Sequence, residues 1–87
     1  MGNIVIRPEL MSFCERMERV LGENDEKGGW HGTPQEYLLS RLLDEYEKLA
    51  EALQNQDGLK AMNECVDVAN FAMMICDNIY LGLHNSK

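Results

Sequence analysis

Apolar residues recur along this chain at helical spacing in three blocks. The first is Leu10, Phe13, Cys14, Met17, Val20 and Leu21, which predicts an amphipathic helix over 8–21. Pro8 suits its first turn and Gly22 its end. The opposite face carries Glu15, Arg16, Glu18 and Arg19, and core packing is a sufficient account of this helix. Residues 1–7 form a short lead, extended at Ile4, Val5 and Ile6.

The second block is Leu39, Leu42, Leu43, Tyr46, Leu49, Ala50 and Leu53, predicting a helix over 34–55. Thr33 caps it, Pro34 takes the first helical position, and Glu36 completes a capping box. Glu45 falls at the edge of the apolar face, with Arg41 and Lys48 one turn before and after. These are either surface ion pairs of small energetic consequence or a carboxylate ligand flanked by cations placed for phosphate.

The third block predicts a helix over 59–83, joined to the second by the tight connection 54–58, so the two are antiparallel neighbours. Its polar side chains do not scatter. Lys60, Asn63, Glu64, Asp67, Asn70, Asp77 and Asn78 share one narrow stripe. Cys65, Val66, Ala69, Ala72, Met73, Ile75, Cys76, Ile79 and Tyr80 occupy the rest. Glu64 and Asp67, three residues apart, place two carboxylates side by side, where they repel unless a cation lies between them. Oxygen ligands of this kind suit Mg²⁺ or Mn²⁺. The alternative is an exposed acidic face, against which the width of the apolar surface argues.

Between the first two blocks runs a Gly-rich loop, 23–32, with the only Trp of the chain in Gly28-Gly29-Trp30-His31-Gly32. Trp30 either plugs the core from outside or lines a site where a flat group stacks. His31 reads more readily as a structural or solvated residue than as a catalytic one. Residues 84–87 are expected to fray.

With 87 residues the chain is one domain, and three wide apolar faces exceed what so small a core covers, which predicts an oligomer. A net charge of −7 argues against nucleic acid and anionic membrane surfaces as partners. It permits a nucleotide whose charge a metal ion offsets. Cys14, Cys65 and Cys76 are odd in number and fall at apolar helical positions. They read as buried reduced thiols in a cytoplasmic protein. Residues 1–6 are too short and lack the basic start of a signal peptide, and no apolar run approaches a membrane span.

The stretch from Trp30 to Ile79 resembles the MazG-like, all-α nucleoside triphosphate pyrophosphohydrolases, a family related to dimeric dUTPases and dCTP pyrophosphatases. That family carries E-x-x-E on one helix and E-x-x-D on the next. Glu64-Cys65-Val66-Asp67 is the second motif, followed by Asn70-Phe71-Ala72-Met73-Met74-Ile75 as in small phage and bacterial members. In the first motif, Leu49 and Ala52-Leu53 frame Glu45 as the first Glu, and Lys48 stands where the second belongs. One ligand is lost there and a cation is added, and Glu47, adjacent in sequence, points away on an ideal helix.

The resemblance implies a single MazG-like helical bundle, 1–87, completed by dimer or tetramer formation. It implies Mg²⁺-dependent hydrolysis of a (deoxy)nucleoside triphosphate to the monophosphate and pyrophosphate. Glu45, Glu64 and Asp67 would be metal ligands and catalytic residues. Arg41, Lys48 and Lys60 would offset phosphate charge, Asn70 and Asp77 would meet the nucleotide, and Trp30 would stack on the base. A non-catalytic nucleotide-binding or structural oligomer of the same fold is the alternative, and Lys48 is the feature that favours it.

Overall fold

The structure is a computed structural model that describes residues 2–85. It is all-α, with helices α1 (Pro8–Glu23), α2 (Gln35–Gln54) and α3 (Gly58–Asn85). A single 3₁₀ turn, Asp25–Lys27, follows α1. Among the described residues no strand forms, and the expected extended lead at Ile4 and Val5 stays irregular and exposed.

The helix ends differ from the sequence reading for local reasons. Helix α1 runs through Gly22 and stops at Asn24, whose side-chain amide donates to Val20 O at 2.9 Å. That bond satisfies a carbonyl of the last turn, so no left-handed glycine is needed. The capping box at Thr33 and Glu36 does not form. Pro34 keeps ψ at 140°, α2 begins one residue later, and the Thr33 N–H donates to Trp30 O instead. Because Pro34 is itself extended, it takes the cap position and leaves Thr33 one residue outside the helix. At the other end, 58–85 is helical, so the fraying expected from 84 onward is not seen at His84; Ser86 and Lys87 lie outside the described residues.

Helices α2 and α3 form an antiparallel hairpin over a three-residue connection. Asp57 N–H donates to Ala52 O and Gln56 N–H to Leu53 O, with Gln56 at φ +56°. This is the paired bonding of a Schellman stop, with glutamine in the left-handed position that glycine usually fills. Asp57 then caps α3, its Oδ1 accepting from Lys60 N at 3.1 Å.

The face α2 turns to its neighbour is not the one the apolar pattern selects. Leu38, Glu45 and Ala52 are buried, while Leu39, Leu43, Tyr46 and Leu53 are more than half exposed. Burying Leu38 and Ala52 carries Glu45 inward with them, because the three are spaced 7 and 7 residues apart on one stripe. Glu45 is thus in the middle of the packed face and not at its edge. Against it α3 buries Ala61, Val66, Glu64 and Asn70. The hairpin's interior is therefore about as polar as it is apolar.

Helix α1 lies against α3 and not against α2, and buries no residue fully. None of the three cysteines is buried: Cys14 and Cys76 are exposed and Cys65 half-buried, all as free thiols. The apolar faces that carry them are only partly covered in the single chain. One expectation about the third helix is overturned. By length and apolar composition Gly58–His84 is sufficient to cross a membrane, although such a test is also passed by core helices of soluble proteins. Its polar stripe is engaged with the other elements of the fold, as follows.

Candidate functional site

A cleft of about 600 Å³ opens between the hairpin, the end of α1 and the loop after it. Glu45 from α2 and Glu64 and Asp67 from α3 line its floor, and one carboxylate oxygen of each lies within 4.8 Å of the others. Antiparallel pairing produces this meeting: the two helices pass each other at Glu45, while Glu64 and Asp67 are one turn apart on the facing side.

The three carboxylates are not equivalent. Glu45 is satisfied by two cations on the same oxygen, with Arg41 Nη2 at 3.2 Å and Lys48 Nζ at 3.4 Å from Oε2. Arg41 is itself steadied by Asp44 at 3.0 Å and by the ring of Phe71, 5.4 Å from its guanidinium carbon. Glu64 Oε2 is buried without any hydrogen-bond partner. Burial pushes the Glu64 carboxyl above its ordinary value, and the facing Glu45 and Asp67 push it the same way, with Lys48 opposing. Asp67 is raised too, first by burial and then by the Glu45 charge, with Lys48 and Arg41 opposing. A buried, unpartnered carboxylate oxygen among two other carboxylates is an arrangement that a hard cation would complete.

Asn70, one turn beyond Asp67, also lines the cleft. Its amide donates to Met17 O on α1 at 3.4 Å, and its own buried Oδ1 has no partner. A second buried acceptor thus faces the same region.

Trp30 forms the cleft's opposite wall, half-buried. Its position is set by the far end of α3. Trp30 Nε1 donates to Asp77 Oδ2 at 3.1 Å, and Asn78 Nδ2 donates to Trp30 O at 3.2 Å. Asn78 also donates to Gln35 Oε1, and Gln35 Nε2 donates to Ile75 O. His31 Nε2 lies 2.8 Å from the same Asp77 oxygen, and the His31 and Trp30 rings meet edge-on at 5.2 Å. The His31 and Trp30 hydrogen bonds hold the Asp77 carboxyl below its ordinary value.

The structure thus brings Trp30, Arg41, Glu45, Lys48, Glu64, Asp67 and Asn70 around one cleft. Two of the candidate site residues stand elsewhere. Lys60 is directed to Glu51, at 3.9 Å, and does not line the cleft. Asp77 touches Trp30 and His31 and is absent from the lining, so it positions the loop. His31 is exposed and outside the cleft. Glu47 is exposed and apart from the carboxylate cluster. Lys27, Tyr37 and Phe71 line the cleft without having been singled out. Phe71 reads as core by its spacing, and only the guanidinium over its ring distinguishes it.

No family model and no solved structure matches the chain. A stretch of 59 residues is 37% identical to an uncharacterized protein of Archaeoglobus fulgidus. The match covers 68% of this chain and 63% of that relative, so the chain spans less than two thirds of the relative's length.

Proposed function

We propose that this chain is a MazG-like pyrophosphohydrolase, converting a (deoxy)nucleoside triphosphate to the monophosphate and pyrophosphate. The supporting observation is the convergence of Glu45, Glu64 and Asp67, with Glu64 Oε2 buried and unpartnered, beside two cations and an aromatic wall. The donor set is all oxygen and suits Mg²⁺ or Mn²⁺ over zinc. When bound, such an ion offsets triphosphate charge and makes water a better nucleophile.

The chain's own residues divide the remaining work. Glu45, Glu64 and Asp67 hold the ion. Arg41 and Lys48, on the rim of the cluster, meet phosphate oxygens as negative charge shifts toward the leaving group. Asn70 Oδ1 accepts a hydroxyl or amine of the nucleotide. Trp30 stacks on the base from a position fixed by Asp77 and Asn78. In the reaction the water oxygen bonds to the α-phosphorus. The bond from that phosphorus to the bridging oxygen breaks, its electron pair leaves with pyrophosphate, and the water's proton passes to solvent.

The open apolar stripe on α2 supports assembly into a dimer or tetramer. Light scattering at micromolar concentration tests this, and a stable monomer would refute it. Pyrophosphate release from a panel of common triphosphates with Mg²⁺ tests the activity. Lys48 supports a second reading, a nucleotide-binding oligomer without turnover. It would show as nucleotide affinity with no pyrophosphate released from any substrate of the panel.

A further inference from the structure

Helix α1 carries a charged face that the site described above does not use. Arg16, Arg19, Val20 and Glu23 are spaced 3, 1 and 3 residues apart and stand on one side of the helix. They line a second cleft of about 560 Å³, closed on the other side by α3 at Leu59, Met62, Asn63, Val66 and Asp67. Val20 and Asp67 line both clefts, so the two adjoin where α1 meets α3. The second cleft takes in Asp67 of the carboxylate cluster and does not include Trp30.

Neither Arg16 nor Arg19 has an ion-pair or hydrogen-bond partner among the described residues, although Glu23 lies one turn from Arg19. In a chain of net charge −7 they are two unused guanidinium groups beside a site whose substrate is anionic. A guanidinium presents paired N–H donors that match two phosphate oxygens at once, and it stays charged at any working pH. Two acidic groups share this cleft, Glu23 and Asp67, and Asp67 belongs to the carboxylate cluster, where a bound cation would offset its charge.

We infer that the second cleft is an anion subsite, in which Arg16 and Arg19 bind the pyrophosphate end of the substrate and then the pyrophosphate product. This rests on the reading of the first cleft as a triphosphate site. Trp30, the carboxylates and the two arginines then follow one another in the order base, α-phosphate, pyrophosphate. As the bond to the α-phosphorus breaks, the electron pair goes to an oxygen of the group that the arginines hold.

The probe is inorganic pyrophosphate with excess Mg²⁺, followed by isothermal titration calorimetry. Wild type binds it, and the affinity falls as salt is raised. The double variant Arg16→Ala/Arg19→Ala binds at least tenfold more weakly. Arg16→Lys/Arg19→Lys recovers most of the affinity and guards against a folding artefact. Arg7→Ala, which removes a charge ahead of α1 and outside both clefts, binds as wild type does. Equal affinity of the double alanine variant and wild type, or no binding by wild type, overturns the subsite. The two readings fail separately. A wild type that binds pyrophosphate through both arginines yet hydrolyses no triphosphate refutes the hydrolase and keeps the subsite. An active enzyme whose pyrophosphate affinity ignores both arginines does the reverse.

Discussion

Lys48 Nζ stands 3.4 Å from Glu45 Oε2, one turn along α2, with its own side chain half exposed while that of Glu45 is almost wholly buried. A fixed carboxylate therefore holds a reachable cation at the rim of the cluster. On the hydrolase reading that cation meets phosphate. Lys48→Ala should lower kcat/KM about tenfold, equivalent to about 1.4 kcal/mol of transition-state stabilisation. Lys48→Glu should add a fourth carboxylate and tighten the affinity for a second metal ion. Pyrophosphate release by the three proteins across a Mg²⁺ series checks both, and three equal rates would return Lys48 to an ordinary solvated lysine.

Asp67 faces two other carboxylates, so its charge is a cost in the metal-free protein. Asp67→Asn should leave the apo melting temperature unchanged or raise it, while removing the upward shift that Mg²⁺ produces. Differential scanning calorimetry with and without Mg²⁺ measures this. A variant that keeps the normal Mg²⁺ shift shows that Asp67 is not a ligand.

The same crowding gives a pH dependence of definite sign. Glu64 and Asp67 titrate above their ordinary 4.5 and 3.8, so the folded protein binds more protons there than the unfolded chain. Their contribution to stability is complete below those ordinary values and is lost as pH rises through the raised ones. Asp77 is lowered, so its contribution is present above 3.8 and lost as pH falls further. Apo melting temperature should therefore decline as pH is raised above 4.5, and the decline should be shallower in Asp67→Asn. Parallel pH profiles for the two proteins would contradict this.

Gln56 holds φ +56° to end α2. A left-handed conformation costs a side-chain-bearing residue roughly 1–2 kcal/mol, of which glycine's greater unfolded freedom returns about half. Gln56→Gly should stabilise by about 0.5–1 kcal/mol and raise Tm by roughly 2–8 °C. A lower Tm would mean that the glutamine side chain makes a compensating contact.

Asp77→Ala removes the acceptor shared by Trp30 Nε1 and His31. The emission of Trp30, the only tryptophan, should move to the red as the loop loosens. With nucleotide, KM should rise more than kcat falls, because the stacking wall is lost and the carboxylates are untouched. An unchanged spectrum would show that Asn78 and Gln35 hold the loop unaided.

The all-α class is legible in the spacing of apolar residues, and the shared face of Glu64 and Asp67 follows from their separation of three. The burial of Glu45 is not legible in the same way. An apolar pattern selects Leu39, Leu43 and Tyr46, whereas the hairpin packs through Leu38 and Ala52 and takes a carboxylate in between. Asp77 stands apart from the cleft for a related reason. It shares the polar stripe of Asp67, but ten residues along α3 carry it about 15 Å, past the cleft and under the loop. The partners of Trp30 depend on loop geometry, on which helical periodicity is silent.

Among the described residues four apolar side chains are buried, and two of them are alanines. On the oligomer reading, so little covered surface would make folding and self-association one equilibrium, governed by mass action. The melting temperature then belongs to a protomer concentration and not to the sequence alone. Substitutions at Leu43 or Tyr46, exposed in the single chain, would be read on dilution as unfolding.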